Sequence, residues 1–166
     1  MRCDVLVGYA WCRSSYVAIR SLSRLGLRVA TADSSTFGMG QCSKHAATHY
    51  VHADPRVEPE QFIADIGNIL TDCKAKFYLP GHDEGETVAK YCSRLPKDVI
   101  VSLADYDMLL WANNKMETSR TALELDIPTP RIIHWHQIGE LKQKVAALGK
   151  PVVIKLRRSS GAKGVF

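Results

Sequence analysis

Short apolar runs alternate with amphipathic stretches from the first residues onward. Asp4 to Gly8 is a brief, largely β-branched run ending in glycine, and Ser14 to Leu25 then sets Val17, Ala18, Leu22 and Leu25 on one helical face behind two serines able to cap it. Gly26 stands where a helix closes on a left-handed residue, and Leu27 to Ala32 resumes as a strand ending at Asp33. This predicts a βαβ unit. A weak strand over Thr48 to His52 follows, then a helix from Glu58 to Leu70 with Phe62, Ile63, Ile66 and Leu70 on its apolar side. Lys76 to Leu79 predicts a strand entering the turn-rich Pro80 to Gly85, a helix carries Val88, Ala89 and Cys92, and Val99 to Leu103 predicts another strand. Such an alternation makes an α/β fold, an open parallel sheet with helices on both faces.

The pattern changes after Ser102. Asp105 to Leu110 and Asn114 to Leu125 predict two helices, and Ile127-Pro128-Thr129-Pro130 breaks the helical period. Arg131 to His134 predicts a strand, Gln137 to Leu148 a helix closed by Gly149, and Pro151 to Leu156 a strand running into a loop from Arg157 to Gly164. The expected division is an α/β domain over 1–112 and, over 113–166, a linking helix with the start of a second, α+β domain. A strand, a glycine loop and then Val165-Phe166 make the first arm and a half of a hairpin, so the sequence is expected to stop inside a domain. The strand Pro151 to Leu156 would then either fray or pair with a second copy, giving a homodimer.

Composition narrows the class. No apolar run approaches the roughly 18 residues of a membrane span, and Arg2 and Asp4 flank a strand where a signal peptide would need an apolar helix, so neither membrane nor secretion is expected. Five cysteines without a C-x-x-C pair read as free thiols of a reducing cytoplasm. The net charge is +5, but the only dense basic patch is Lys155, Arg157, Arg158 and Lys163. With no zinc finger, basic coiled coil or interleaved aromatics, nucleic acid is not an expected partner.

That patch has another use. Lys155 ends an apolar strand, and the Ser159-Ser160-Gly161-Ala162-Lys163-Gly164 loop offers backbone amides, hydroxyls and a cation that can surround phosphate oxygens. The same loop also reads as a mobile surface hairpin with solvated charges. Three features join it: Asn114-Lys115 opening a helix, Asp126-Ile127-Pro128-Thr129-Pro130 after it, and Lys150-Pro151-Val152-Val153-Ile154-Lys155 before the loop. This succession resembles the ATP-grasp superfamily, with residues 1 to about 112 similar to its Rossmann-like pre-ATP-grasp domain and 113–166 to the start of its ATP-grasp domain. The resemblance implies that Lys115 and Lys155 bind ATP phosphates and that Ser159, Ser160, Gly161, Lys163 and Gly164 belong to the flap over them. It also implies that the adenine hinge and the Mg2+ ligands lie beyond the glycine loop, so no metal ligand is expected here and the 166-residue chain is expected to be inactive by itself.

In an open parallel sheet, ligands bind outside the carboxyl ends of the strands, which here carry Gly8-Tyr9, Asp33-Ser34-Ser35 and Gly81-His82-Asp83-Glu84-Gly85. Asp83 and Glu84 either hold the amine of an acceptor substrate, as similar loops of ATP-grasp ligases do, or form a solvated turn that favours the next helix. Gly8-Tyr9-Ala10-Trp11-Cys12 lacks the G-x-G-x-x-G spacing, which disfavours a dinucleotide. His45, His49 and His52 run from loop into strand, where such spacing does not converge on a metal, and His134 and His136 flank Trp135 as a packing edge. Cys12 reads as a quiet, partly buried thiol.

Two functions stay open. One is the amino-terminal part of an ATP-grasp enzyme, a carboxylate–amine ligase or a carbamoyl-phosphate-synthetase-like protein, working on small carboxylate and amine substrates. The other is a free-standing α/β module that binds a small metabolite or partner without chemistry.

Overall fold

The computed structural model describes residues 1–133, 138–148 and 152–159, which divide into two compact units, Met1–Tyr106 and Asp107–Phe166. The first holds strands β1 (Val5–Val7), β2 (Val29–Asp33), β3 (Thr48–Val51), β4 (Phe77–Leu79) and β5 (Ile100–Val101), with helices α1 (Arg13–Arg24), α2 (Pro59–Cys73) and α3 (Glu84–Lys90). All strands are parallel, in the order β3-β2-β1-β4-β5, so the strand sequence reverses between β1 and β4. Val5 lies opposite both Val29 and Phe77, which fixes the register of the three central strands.

Successive strand side chains point to opposite faces, and the core divides accordingly. Val5, Val7 and Val29 pack with Ile19 of α1, whereas Leu6, Ala30, Ala32 and Tyr78 pack with Phe62, Ile63, Ile66 and Leu70 of α2 and Val88 of α3. The α/β architecture with helices on both faces is thereby present, and Phe62, Ile63, Ile66 and Leu70 are buried as the helical period predicts.

Helix α1 corrects the expectation twice. Its buried positions are Ser15 and Ile19, with Leu22 half-buried, while Val17 and Leu25 face solvent at 54% and 78% exposure. Its N-cap is Cys12, whose thiol accepts from the Ser15 amide at 3.5 Å, in place of a serine. Gly26 closes the helix at φ +84°, as predicted. The strand expected over Val99 to Leu103 shortens to Ile100–Val101, and Cys92 lies past the end of α3 and is exposed.

Helix α4 (Tyr106–Ala112) leads into the second unit, which contains α5 (Lys115–Glu124) and α6 (Ile138–Leu148). Helix α5 ends through Asp126 at φ 54°, with the Ile127 amide donating to the Ala122 carbonyl before Pro128 is reached. Residues 131–133 form no strand, and the run from Val152 to Leu156 contains a single bridge at Lys155 instead of the expected strand. Val153, Ile154 and Leu156 are exposed; without a neighbouring ladder an apolar run has nothing to bond its amides in register. His134, Trp135, His136, Gly149, Ser160, Gly161, Lys163 and Gly164 fall outside the described residues.

Candidate functional site

At the reversal between β1 and β4, two loops meet at the carboxyl edge of the sheet. The Gly8 amide donates to the Leu79 carbonyl at 3.0 Å, and the buried Ser15 hydroxyl donates to the Gly8 carbonyl at 2.9 Å. Neither Gly8 nor Gly81 has room for a side chain. A Cβ on Gly8 would sit 1.9 Å from Glu84 Oε1, and one on Gly81 would sit 2.1 Å from Ser15 Oγ and 2.4 Å from the Gly8 carbonyl.

Behind both glycines lies Glu84, fully buried. Its Oε1 accepts from the Gly81 amide at 3.0 Å and from the Tyr78 hydroxyl at 3.3 Å, while Oε2 is buried without a hydrogen bond of ordinary geometry. Burial raises its pKa to about 7, against the lowering effect of the Gly81 amide, the Tyr78 hydroxyl and the Tyr9 amide. The solvated-turn reading therefore fails for Glu84. Burial likewise lifts the Tyr78 phenol far above its usual range, with the Glu84 carboxylate adding to the effect.

In front of the glycines the side chains are aromatic. Tyr9 sits at φ 51°, an uncommon conformation for a bulky residue, and stacks on His82 with ring centroids 5.1 Å apart and Trp11 tilted at 5.6 Å. The His82 Nδ1 lies 2.8 Å from Asp83 Oδ1. Asp33, at the end of β2, is buried and binds the edge together: its carboxylate accepts from the Trp11 amide at 3.0 Å and from the Ser35 amide at 2.9 Å. Trp11, Asp33 and His82 were not singled out as site residues from sequence, although the rule of carboxyl-end loops points to all three. Beside them, Asp83, Glu86, Arg56 and Tyr106 line a cleft of about 300 Å³. A larger hollow of about 600 Å³, lined by Arg2, Asp72, Lys74 and Asp98, opens where Lys76 precedes β4, at the opposite edge from these loops.

His45, His49 and His52 do not converge. His49 lies in β3 opposite Thr31, His45 Nδ1 is 3.4 Å from Ser23 Oγ, and His52 is buried in the core with its ring edge-on to Phe62 at 4.8 Å. Among the described residues no group of three His, Cys, Asp or Glu could hold a metal ion.

In the second unit, Asn114 caps α5 by accepting from the Met116 amide at 3.2 Å, which fixes Lys115 as the first helical residue. The Lys115 amide donates to the Arg157 carbonyl at 3.0 Å, and its ammonium donates to the carbonyl and hydroxyl of Ser159 at 2.8 and 3.0 Å. The helix start and the entry to the glycine loop are thus held together across 44 positions of sequence. Lys155, Arg157 and Arg158 are exposed.

Over its full length the chain superposes on the biotin carboxylase domain of 2-oxoglutarate carboxylase from Hydrogenobacter thermophilus, solved with MgADP, ADP and bicarbonate, with a TM-score of 0.71 and 16% identity. It covers 37% of that chain. The fold is that of the amino-terminal region of ATP-grasp enzymes. An L-amino acid ligase from Bacillus licheniformis matches 96% of the chain over 38% of its own, with a TM-score of 0.68 and 14% identity. Pyruvate carboxylase from Rhizobium etli matches all of it over 15% of its own length, with a TM-score of 0.66 and 16% identity. No family model and no curated relative matches the sequence. The resemblance to the ATP-grasp superfamily is borne out at the level of fold. No helix among the described residues is long and apolar enough to cross a membrane.

Proposed function

We propose that the chain is the amino-terminal part of a cytoplasmic, ATP-dependent ligase of ATP-grasp type, a carboxylate–amine ligase or carbamoyl-phosphate-synthetase-like enzyme. In it a carboxylate takes the terminal phosphoryl group of ATP, and an amine or similar nucleophile then attacks the acyl phosphate and expels phosphate. Residues 1–112 serve as the pre-ATP-grasp domain and 113–166 as the start of the ATP-grasp domain. The observation that carries this reading is the Lys115 ammonium seated on Ser159. An ammonium has three donors, Ser159 takes two, and among the described residues none takes the third, which suits a phosphate oxygen. Lys155, exposed four residues before Ser159, supplies a second cation to stabilise charge on the transferring group, and the resemblance assigns Ser160, Gly161, Lys163 and Gly164 to the flap. Gly8, Tyr9 and Asp83, backed by Glu84, form the edge that receives the acceptor. Mg2+ would neutralise phosphate charge, and on this reading its ligands lie beyond the glycine loop.

The 166-residue chain should therefore bind ATP weakly and hydrolyse none. In the full enzyme, Lys155→Ala should lower turnover by about a hundredfold, the scale for losing an electrostatic stabiliser of a transition state. Unchanged turnover in that variant, or steady ATPase activity of the short chain, would overturn the proposal. A free-standing module predicts neither activity at any length.

A further inference from the structure

One buried group stands behind the acceptor edge. Glu84 touches no solvent and makes no ion pair among the described residues, yet it meets both loops of the carboxyl edge. It accepts from the Gly81 amide, and it fills the space directly behind Gly8, where even a methyl group would collide with Oε1. Resting on those glycines are Tyr9, in its uncommon left-handed conformation, and His82, which stacks on it and pairs with Asp83. We propose that Glu84 is a positioning residue, an internal clasp whose carboxyl group, taking the Gly81 amide and filling the space behind Gly8, holds the loops after β1 and β4 in register and so fixes the Tyr9–His82 stack and Asp83. This deepens the acceptor-edge reading above, on which it rests for its functional meaning.

The surroundings define the switch. From β4 the Tyr78 hydroxyl faces Glu84, from β2 the Asp33 carboxylate disfavours its charge, from the β1 loop the Tyr9 amide favours it, and α1 contributes Ser15, whose hydroxyl is spent on the Gly8 carbonyl. The anion would thus keep its donors on Oε1 but lie buried with Oε2 unsolvated and, among the described residues, no cation to pair with. Loosening of the Gly8–Tyr9 loop, which admits water to Oε2, relieves that cost.

The 166-residue chain itself provides the test, by NMR titration from pH 5 to 9 without any ligand. The amides of Tyr9 and Gly81 should move with one shared midpoint near 7, and the contact between the Tyr9 and His82 rings should be lost through the same midpoint. The transition should persist in His82→Asn, read at the amides, and vanish in Glu84→Gln. Absence of a shared transition in the wild-type chain, its loss in His82→Asn, or its survival in Glu84→Gln would each overturn the clasp. If Glu84→Gln does not fold, the wild-type and His82→Asn arms decide alone. Because no ligand is present, failure here leaves the ligase reading untouched, and failure of Lys155→Ala to slow the full enzyme leaves the clasp untouched.

Discussion

Every buried residue of the described chain lies between Cys3 and Leu95, so the sheet unit closes around apolar cores on two faces, whereas neither α5 nor residues 139–148 of α6 include a buried position. The second unit relies on local devices: the Asn114 cap, the Lys115 contacts with Ser159, and surface ion pairs such as Arg120 with Glu117 and Lys144 with Glu140. Exposed pairs of this kind contribute about 0–1 kcal/mol each, against about 1.5–3 kcal/mol for one fully buried apolar side chain. The sheet unit has the means to fold by itself. The second offers Val153, Ile154 and Leu156 as apolar surface that its own described residues leave uncovered.

The most direct way to break this comparison is to truncate one large apolar side chain on each side. Phe62→Ala empties a fully buried site in the larger core and should cost about 3–5 kcal/mol, read as a drop in the urea midpoint. Leu123→Ala, at a position 61% exposed, should stay within about 0.5 kcal/mol. Similar losses at both positions would mean that α5 has a core of its own.

A second test uses two buried titratable groups of the sheet unit whose effects have opposite sign. Glu84 has its pKa raised from 4.5 to about 7, so the folded state binds more protons than the unfolded one between those values. Its contribution is complete below pH 4.5 and is lost as pH rises to about 7, about 3 kcal/mol in all. His52 has its pKa lowered from 6.5, chiefly by burial against the pull of the Ala53 carbonyl, so there the unfolded state binds more protons as pH falls below 6.5 and stability is lost in the acid direction. The two slopes oppose each other as pH falls below 6.5. Urea unfolding of Glu84→Gln across that range should show stability rising with pH, and His52→Gln should show it falling. A wild-type slope unchanged in both variants would remove these groups from the account.

Those groups also mark where sequence reading stops. Helix α2 was legible because Phe62, Ile63, Ile66 and Leu70 can share only one helical face. Helix α1 was legible as an element but not as a face, since Val17, Ala18, Leu22 and Leu25 fit the period as well as Ser15, Ile19 and Leu22. What selects the second set is Ser15 finding the Gly8 carbonyl, a tertiary bond that no periodicity encodes. Glu84 reads as a surface carboxylate until Tyr78 and the Gly81 amide are brought to it by the β1–β4 crossover. The Cys12 cap was missed because a thiol is a weak acceptor. Lys115 and Ser159, which lie 44 residues apart, were joined only through resemblance to a family; spacing alone could not bring them together.

The finest test returns to the second unit. Asn114 satisfies one of the amides that every helix start leaves open, and its replacement by alanine costs typically about 1 kcal/mol. In a unit with a core, that loss would be absorbed into global stability and spread over all protected amides. Helix α5 buries no residue, so the loss should fall on the helix itself, and on the Lys115 contact that its first turn holds in place. Hydrogen exchange of Asn114→Ala should accelerate by about fivefold at the amides of Thr118 to Glu124, the factor that about 1 kcal/mol gives, while the amides of Val5 to Val7 keep their rates. Acceleration at both sets would show that the cap of α5 supports the sheet unit as well, and that the two regions unfold as one.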